Sequence, residues 1–311
     1  MKIAFLFPGQ GSQSIGMGFD FYQEFDFIRE LFDMAEETVR MNLSGLCFKG
    51  PMEELTETIN LQPAVTVVNL ACLAVLEREG VRANAAAGHS LGEYSALCAA
   101  SVLSTRDTFK LVLKRGELMH REAQRHQGSM HAIIGLDAEK VEMLIRSLGE
   151  NQVVSIANHN TANQIVITGS PDPVQQVSLL AGKEGGKSIP LKVSGAWHSR
   201  LIKGAESEFE RFISSIPFQS PKIPVIFNTT ADIEENKDEI RGLMIRQLCS
   251  PVRWYESMRR LIQEGVDGFI EVGPGKVLSG LLKKIAPPDY PCSVYNLCDL
   301  KSLEKVLRVF S

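Results

Sequence analysis

A serine flanked by small residues is the first feature of this sequence that indicates chemistry. Gly88-His89-Ser90-Leu91-Gly92 is a G-x-S-x-G motif. Such a motif lifts a serine hydroxyl above a sheet on a tight strand-to-helix turn, which leaves room only for small flanking residues. The small residues at 85–88 precede it and a helix-like segment follows. Ser90 is therefore expected at a helix N-terminus, where N–H groups favour developing negative charge. From the motif alone, an ordinary loop fits equally well.

A serine hydroxyl needs a neighbouring base before it becomes a useful nucleophile. Among the six histidines, His198 lies in the small-residue turn Ser194-Gly195-Ala196-Trp197-His198-Ser199. Loops at the junctions between elements are where catalytic groups are commonly placed. A histidine at a helix cap explains the same position equally well. His89 adjoins Ser90, so we expect its side chain to point away and to have a structural or orienting role.

The elements around these residues alternate between strand and helix, which predicts an α/β layered fold. The apolar run at 3–7 ends in Pro8-Gly9 and is typical of a buried parallel strand. Helical patterns follow at 24–39, 63–79, 91–100 and 105–124, with Ser104 as the expected N-cap of the last. After residue 193 we expect helices at 199–215, 238–248, 253–264, from about 275, and at 299–310, and strands at 224–227, 267–272 and 293–296.

A different pattern occupies the middle of the chain. Strands are expected at 130–135, 152–157, 164–168 and 187–192, with helices at 138–148 and 172–184. The resulting order, strand, helix, strand, strand, helix, strand, is the ferredoxin-like signature. The sequence therefore predicts an inserted small domain at 128–193, and a large domain formed by 1–127 and 194–311.

Composition and charge exclude several classes of protein. The chain has 311 residues, a net charge of −4 and 44% hydrophobic residues, which is typical of a globular protein and argues against a nucleic-acid binder. The six cysteines include no C-x-x-C pair, so no metal site is predicted, and they fit a reducing cytoplasm. The first apolar run is too short for a signal peptide, and no apolar stretch is expected to reach the roughly 20 residues that span a membrane.

Two glycine-rich loops imitate nucleotide-binding motifs without completing them. A dinucleotide fingerprint in the loop after the first strand would need glycine at position 14, which is Ser14. Gly273-Pro274-Gly275-Lys276 has neither the upstream glycine of a P-loop nor a serine or threonine after the lysine. Neither loop is therefore predicted to bind a nucleotide cofactor.

Six motifs in order resemble the malonyl-CoA:acyl carrier protein transacylases and the related acyltransferase domains of polyketide and fatty-acid synthases. They are FPGQGSQ at 7–13, GHSLGEYSAL at 88–97, KRGELM at 114–119, GAWHS at 195–199, QLCSPVRW at 247–254 and EVGPGKVLSGL at 271–281. The resemblance runs along essentially the whole chain. It implies an α/β-hydrolase-like large domain with an inserted ferredoxin-like small domain, in agreement with the element order.

The resemblance also implies roles for individual residues. By position, Ser90 resembles the acylated nucleophile and His198 its base. Gln10 and Leu91 resemble the two residues whose backbone N–H groups form the oxyanion hole. Gln247 resembles the residue that orients the histidine ring, where a hydrolase triad has a carboxylate. Without the resemblance, Gln247 would be interpreted as an ordinary polar helix residue.

Two further residues bear on the acyl group. Arg115 resembles the arginine that holds the malonyl carboxylate, which a guanidinium grips through two parallel N–H···O bonds. Considered alone, Arg115 would be interpreted as a surface cation on a helix. Trp197 stands where malonyl-selective relatives usually have Phe and methylmalonyl-selective modules tend to have Ser. A larger ring is expected to keep the pocket around the acyl α-carbon tight, and it leaves the extender unit open.

The implied activity is ping-pong transfer of malonyl from malonyl-CoA to the phosphopantetheine thiol of acyl carrier protein in fatty-acid elongation, without metal or cofactor, in the cytoplasm. Three alternatives share some of these residues: an acyltransferase that loads polyketide synthase carrier proteins, a serine thioester hydrolase, and a non-catalytic carrier-protein-binding relative. Neither nucleic acid nor membrane is an expected partner. Because carrier proteins of this kind are acidic, a basic rim is expected near the cleft, with Lys187, Lys192 and Arg200 as candidates.

Overall fold

The computed structural model describes residues 1–310 and contains two separate β-sheets. The strands are β1 (Ile3–Phe7), β2 (Ala85–Gly88), β3 (Ser129–Ile134), β4 (Val154–Thr161), β5 (Gln164–Gly169), β6 (Lys187–Pro190), β7 (Val225–Ile226), β8 (Gly268–Val272) and β9 (Ser293–Leu297). One sheet is parallel, in the order β7-β2-β1-β8-β9. The other is antiparallel, in the order β4-β5-β3-β6. The predicted α/β fold class is confirmed.

Helices pack against both sheets. They are α1 (Phe19–Glu24), α2 (Asp26–Val39), α3 (Leu43–Lys49), α4 (Met52–Thr56), α5 (Thr58–Arg78), α6 (Gly92–Ala99), α7 (Thr105–Arg125), α8 (Ala138–Ser147), α9 (Pro171–Lys183), α10 (Glu206–Ile213), α11 (Lys237–Arg246), α12 (Trp254–Gln263), α13 (Val277–Ile285) and α14 (Leu300–Phe310). A 3₁₀ helix, Arg200–Ala205, precedes α10. As predicted, Ser104 caps α7, because its side chain accepts a hydrogen bond from the Asp107 N–H.

Both faces of the parallel sheet are buried, which explains why its strands are apolar throughout. Along β1 the side chains alternate between two hydrophobic clusters. Phe5 and Phe7 pack in the cluster that contains α2, α5 and α7. Ala4 and Leu6 pack in the opposite cluster, with α12 and α13. Because both faces are covered, we expect a ligand at the carboxyl ends of the strands, where open parallel sheets bind ligands.

The antiparallel sheet is covered on one side by its own two helices. Ile133, Ile165 and Ile167 face α8 and α9 in a small cluster. Residues on the other face of these strands, including Met130 and Val166, belong to the main cluster. The sheet is also joined to the rest of the chain along β4, where the His159 N–H donates to the Val252 carbonyl at 2.9 Å. This face of the antiparallel sheet therefore packs against the part of the molecule that contains the parallel sheet.

The predicted start of α5 near Pro63 is wrong. The helix begins at Thr58, and the Leu61 N–H already donates to the Glu57 carbonyl at 2.8 Å. Proline removes one helical hydrogen bond, but burial of the residues on both sides of Pro63 maintains the helix. The single helix predicted at 199–215 is divided into the 3₁₀ segment and α10, and the short helices α1, α3 and α4 were not predicted.

Helix α5 also contradicts the expectation that no apolar stretch is long enough to span a membrane. Within residues 1–310, α5 is long and apolar enough by length and composition to cross a membrane, although no such segment was expected. Of its most apolar window, 83% is buried inside the protein. Its packing against α7 and the parallel sheet is that of a core helix, and such helices pass the same test.

Candidate active site

The nucleophile turn explains why the G-x-S-x-G motif requires its glycines. Ser90 lies between β2 and α6 with a φ of 51°, in the left-handed region. A Cβ atom on Gly88 would lie 2.0 Å from the Gly92 backbone, and a Cβ on Gly92 would lie 1.9 Å from the Phe7 carbonyl oxygen. Only glycine fits either position, because such distances are far inside van der Waals contact. The ordinary-loop interpretation is therefore wrong, and the Ser90 hydroxyl is raised at the N-terminus of α6.

His198 is placed to act on that hydroxyl. Its Nε2 lies 2.8 Å from Ser90 Oγ, and its Nδ1 lies 2.9 Å from the Gln247 carbonyl oxygen and 3.0 Å from that of Ser250. Because carbonyl oxygens only accept, Nδ1 must carry the proton, and Nε2 presents its lone pair to the serine. Burial, with a contribution from the nearby Arg115 charge, lowers the pKa of His198 to about 3. The imidazole is therefore neutral at physiological pH.

Arg115 lies beside the nucleophile rather than on the surface. Its side chain is 1% exposed, so the surface-cation interpretation is wrong. The guanidinium donates to Ser90 Oγ at 3.1 Å, to Gln62 Oε1 at 3.0 Å and to Gln247 Oε1 at 3.2 Å. All three acceptors are neutral, and within residues 1–310 no carboxylate forms an ion pair with Arg115. A buried cation without an anion is costly, and an anionic group bound in the cleft would offset that cost.

Two residues with free backbone amides line the space around Ser90. The β1–β2 pairing places Phe7 opposite Gly88, and the His89 N–H donates to the Phe7 carbonyl at 3.0 Å, which holds the two following loops together. Gln10 and Leu91, which follow these strands, both line the cleft around Ser90. Among the residues that the structure describes, neither N–H donates to another protein group. Free amides beside a nucleophile are what an oxyanion requires.

Gln247 contacts the histidine through its main chain. Its carbonyl oxygen accepts from His198 Nδ1, whereas its side chain binds elsewhere. The side-chain Oε1 accepts from Arg115, and Nε2 donates to the Ser90 carbonyl at 2.9 Å and to the Glu93 carboxyl. The glutamine therefore connects the base, the guanidinium and the nucleophile turn.

Two residues that the sequence analysis did not select support the turn. Asn228 accepts from the Ser90 N–H and donates to the Gly88 carbonyl, both at 2.7 Å. The Glu93 carboxyl accepts from the Asn228 N–H at 2.8 Å, and burial raises its pKa to about 7. Glu93 stands three residues after Ser90 in an otherwise small and apolar helix, a signal that was available in the sequence. Asn228 follows β7, whose pairing with β2 was not predictable from spacing.

The site lies in a cleft of about 340 Å³ between the two sheets. The antiparallel sheet contributes Met130, Asn158 and Val166 to its lining. His89 also lines it, and His89 Nε2 lies 2.9 Å from Asn160 Oδ1, so that ring links the two sheets. A larger groove of about 780 Å³ beside α2, α5 and α7 is lined by no histidine among the described residues, and it offers no comparable chemistry.

The remaining predicted residues differ in their distance from the cleft. Trp197 lines it and is 4% exposed. Of the three basic candidates, Lys192 lines the cleft. Arg200 donates to the Gln152 carbonyl at 3.0 Å, and Lys187 is exposed on β6. Within residues 1–310 no group of three or more His, Cys, Asp or Glu side chains could hold a metal ion.

A serine, an imidazole and free amides on this fold form the arrangement that nucleophilic acyl transfer requires. The acyl transferase domain family matches residues 4–288. The chain is 46% identical over 286 residues to the malonyl CoA-acyl carrier protein transacylase of Bacillus subtilis (strain 168), covering 91% of this chain and 90% of that protein. The chain therefore belongs to the acyl transferase family, within the group of malonyl CoA-acyl carrier protein transacylases.

Solved structures are similar over nearly the whole chain. An acyl carrier protein S-malonyltransferase from Vibrio cholerae superposes with a TM-score of 0.93 at 38% identity, covering 98% of this chain and 100% of that one. A malonyl-transacylase in complex with a holo type II PKS acyl-carrier protein gives a TM-score of 0.95 at 35% identity, covering 99% and 100%. The two-sheet architecture is thus shared with both proteins.

Proposed function

We propose that this protein is an acyl-carrier-protein S-malonyltransferase, which moves malonyl from malonyl-CoA to the phosphopantetheine thiol of acyl carrier protein. The buried Arg115 guanidinium, held by neutral oxygens beside Ser90, carries the proposal. In a malonyl thioester, a single methylene carbon separates the carboxylate from the thioester carbonyl. One bound group can therefore present its carbonyl to Ser90 and its carboxylate to Arg115. Acetyl lacks the carboxylate and would leave the buried charge unpaired.

In the first half-reaction, His198 Nε2 accepts the Ser90 proton while Oγ attacks the thioester carbonyl. The oxyanion forms against the Gln10 and Leu91 amides, each typically worth roughly 2.7–4 kcal/mol in the transition state. The carbon–sulfur bond then breaks, the CoA sulfur takes the proton from His198, and malonyl-Ser90 remains. The malonyl carboxylate offsets the Arg115 charge, so the imidazolium that forms is less disfavoured than in the free enzyme.

The second half-reaction reverses these steps with a new thiol. The phosphopantetheine sulfur gives its proton to His198 Nε2 and attacks the malonyl-serine carbonyl. The Ser90 oxygen leaves and recovers the proton, which gives ping-pong kinetics. The carboxylate clamp holds the acyl group in place between the halves, and a narrow cleft limits access of water.

We propose that the chain forms two domains, a large catalytic one of residues 1–127 and 194–311 and a small one of residues 128–193. Ser90 and His198 are 108 residues apart in the chain and 2.8 Å apart in space, which supports a site between the two domains, a usual location for ligands. We propose that no metal or cofactor takes part, since each proton transfer has a protein group. We also propose a cytoplasmic location, with Lys192 as part of the rim that meets the acidic carrier protein.

A second candidate shares this mechanism. The similar malonyl-transacylase bound to a type II PKS acyl-carrier protein favours loading of polyketide carrier proteins as an alternative destination of the malonyl group. The bulk of Trp197 in the cleft favours malonyl over methylmalonyl as the extender unit. Loading rates with fatty-acid and polyketide carrier proteins would separate the two destinations.

The test is intact mass and peptide mapping after brief exposure to malonyl-CoA, methylmalonyl-CoA or acetyl-CoA. We expect a malonyl adduct on the Ser90 peptide and far weaker labelling by the other two donors. Addition of holo acyl carrier protein should then remove the adduct much faster than water does. Removal at the same rate with and without the carrier would identify a thioester hydrolase instead. Release of no CoA and formation of no adduct would identify a non-catalytic relative.

A further inference from the structure

Glu93 is a buried carboxyl beneath the nucleophile that the mechanism above does not use. Its side chain is 1% exposed. One carboxyl oxygen accepts from the Asn228 N–H at 2.8 Å, and the other accepts from Gln247 Nε2. A buried carboxyl that is fully hydrogen-bonded in this way holds its partners in fixed positions.

Three contacts fix which way the Gln247 amide points, and Glu93 supplies one of the two acceptors for its NH₂ group. An amide group has one acceptor oxygen and one donor NH₂ group, whereas the Ser90 carbonyl only accepts and the Arg115 guanidinium only donates. Gln247 Nε2 must therefore face Glu93 and the Ser90 carbonyl, which is 2.9 Å away. The amide oxygen is then directed toward the Arg115 guanidinium, which donates to it at 3.2 Å. The reverse orientation would oppose donor to donor at Arg115 and acceptor to acceptor at the Ser90 carbonyl.

We infer that Glu93 is a positioning residue for recognition of the substrate carboxylate, because it fixes the Gln247 amide that holds the Arg115 guanidinium beside Ser90. The inference rests on the proposed malonyl transfer. It also explains why the neutral Gln247 amide lies between the Glu93 carboxyl and the Arg115 guanidinium. A carboxylate in direct contact with Arg115 would occupy the guanidinium and compete with malonyl, whereas an amide oxygen holds it and leaves its charge available.

The test is Glu93→Gln. The new amide oxygen can still accept from the Asn228 N–H, but the new NH₂ group faces Gln247 and favours the reversed amide. Arg115 then loses one acceptor, so kcat/KM for Ser90 acylation by malonyl-CoA should fall about 10- to 100-fold. The value for acetyl-CoA should change less than about threefold, because acetyl makes no contact with the guanidinium.

Glu271→Gln is the matched control. Glu271 is also fully buried, and its two oxygens accept from the Leu278 N–H at 3.0 Å and the Ser279 N–H at 2.8 Å. The substitution removes the same charge from a similar environment outside the Arg115 cluster. The malonyl-to-acetyl ratio of this variant should equal that of the wild type, which separates positioning from a general effect of losing a buried carboxylate.

Gln247→Leu tests the connection independently of whether Glu93→Gln folds. It removes the amide and leaves the main-chain carbonyl that contacts His198. We expect the same malonyl-specific loss, and we expect Glu93→Gln in the Gln247→Leu background to add less than about threefold, since both changes break one connection.

The outcomes are distinguishable from a failure of the proposed function. Wild-type protein that malonyl-CoA does not label, or labels no faster than acetyl-CoA, would refute the malonyl-transfer proposal itself. A selective wild type with an unchanged malonyl-to-acetyl ratio in Glu93→Gln, or in Gln247→Leu if the first variant does not fold, would overturn the inference alone. Fully multiplicative losses in the double variant would also overturn it.

Discussion

Two of the four arginines on helix α7 lie in opposite environments. Arg115 is buried, donates only to neutral oxygens, and forms no ion pair within residues 1–310. Arg121, less than two turns along the helix, is about one-third exposed and lies 2.6 Å from the Glu208 carboxylate and 3.1 Å from that of Glu122. The hydrogen bond from Arg121, with another from Lys114, lowers the pKa of Glu208 to about 2.

The difference shows how a structural charge can be told from a functional one. Arg121 has both water and carboxylates to stabilise its charge, so its ion pairs contribute little to stability. Arg115 is buried and has no carboxylate in direct contact among the described residues, and we propose that an anion entering the cleft stabilises its charge. The neutral hydrogen-bond partners of Arg115 therefore support our proposal that its guanidinium binds a carboxylate next to an acyl carbonyl.

The largest expected effect on the acylation rate comes from removing His198, the proposed base beside Arg115. His198→Ala should lower the rate of Ser90 acylation by malonyl-CoA by about 10,000-fold or more, because no other group accepts the serine proton. His126→Ala is the matched control, since His126 is about half exposed at the far end of α7. Quenched-flow mass spectrometry measures both. A His198→Ala rate within tenfold of wild type would remove His198 from the mechanism.

Removing the Arg121 ion pairs should have a much smaller effect, and it should act on stability rather than on activity. Arg121→Met removes a partly exposed ion pair with Glu208 and one with the buried Glu122, which keeps its ion pair with Arg125. The change should lower the free energy of unfolding by about 0.5–1 kcal/mol. Urea unfolding measures the change. The malonyl-to-acetyl ratio should remain that of the wild type; a shift of tenfold or more would show that charge anywhere on α7 controls donor choice.

The smallest expected effect is that of pH on the nucleophile. Because burial and Arg115 hold the pKa of His198 near 3, below the ordinary 6.5, the base form persists throughout the range above pH 5. The rate of Ser90 modification by a neutral sulfonyl fluoride should change less than about twofold between pH 8 and pH 5.5. An ordinary histidine would lose about tenfold over that range, so a fall with a midpoint near 6.5 would contradict this account. Ser90→Ala should remain unmodified throughout.

The sequence predicted much of the fold because its periodicities are strong. The buried strand β1, the β2–Ser90–α6 turn and α7 with its Ser104 cap lie where the patterns place them. The start of α5 was not predictable from Pro63, because proline is typical of a helix start, yet here tertiary packing extends the helix to Thr58.

The site was partly predictable, and its limits have physical reasons. Arg115 lies on the same stripe of α7 as the buried Leu111, Leu118 and Met119, so helical spacing alone indicated burial and argued against a surface cation. The main-chain contacts to His198 were not predictable, because any residue at 247 and 250 supplies a carbonyl. Asn228 reaches Ser90 across 138 residues, a contact that depends on which strands pair.

The most direct measurement is the malonyl-to-acetyl ratio of kcat/KM for Ser90 acylation in wild type and in Arg115→Met, a substitution that keeps side-chain length and removes the charge. We predict that the wild type favours malonyl-CoA by about 100- to 3,000-fold. In the variant malonyl should lose most of that advantage, while acetyl changes less than about tenfold. An Arg115→Met protein that folds and still prefers malonyl-CoA by more than about 100-fold would contradict the claim that this buried guanidinium is the carboxylate site.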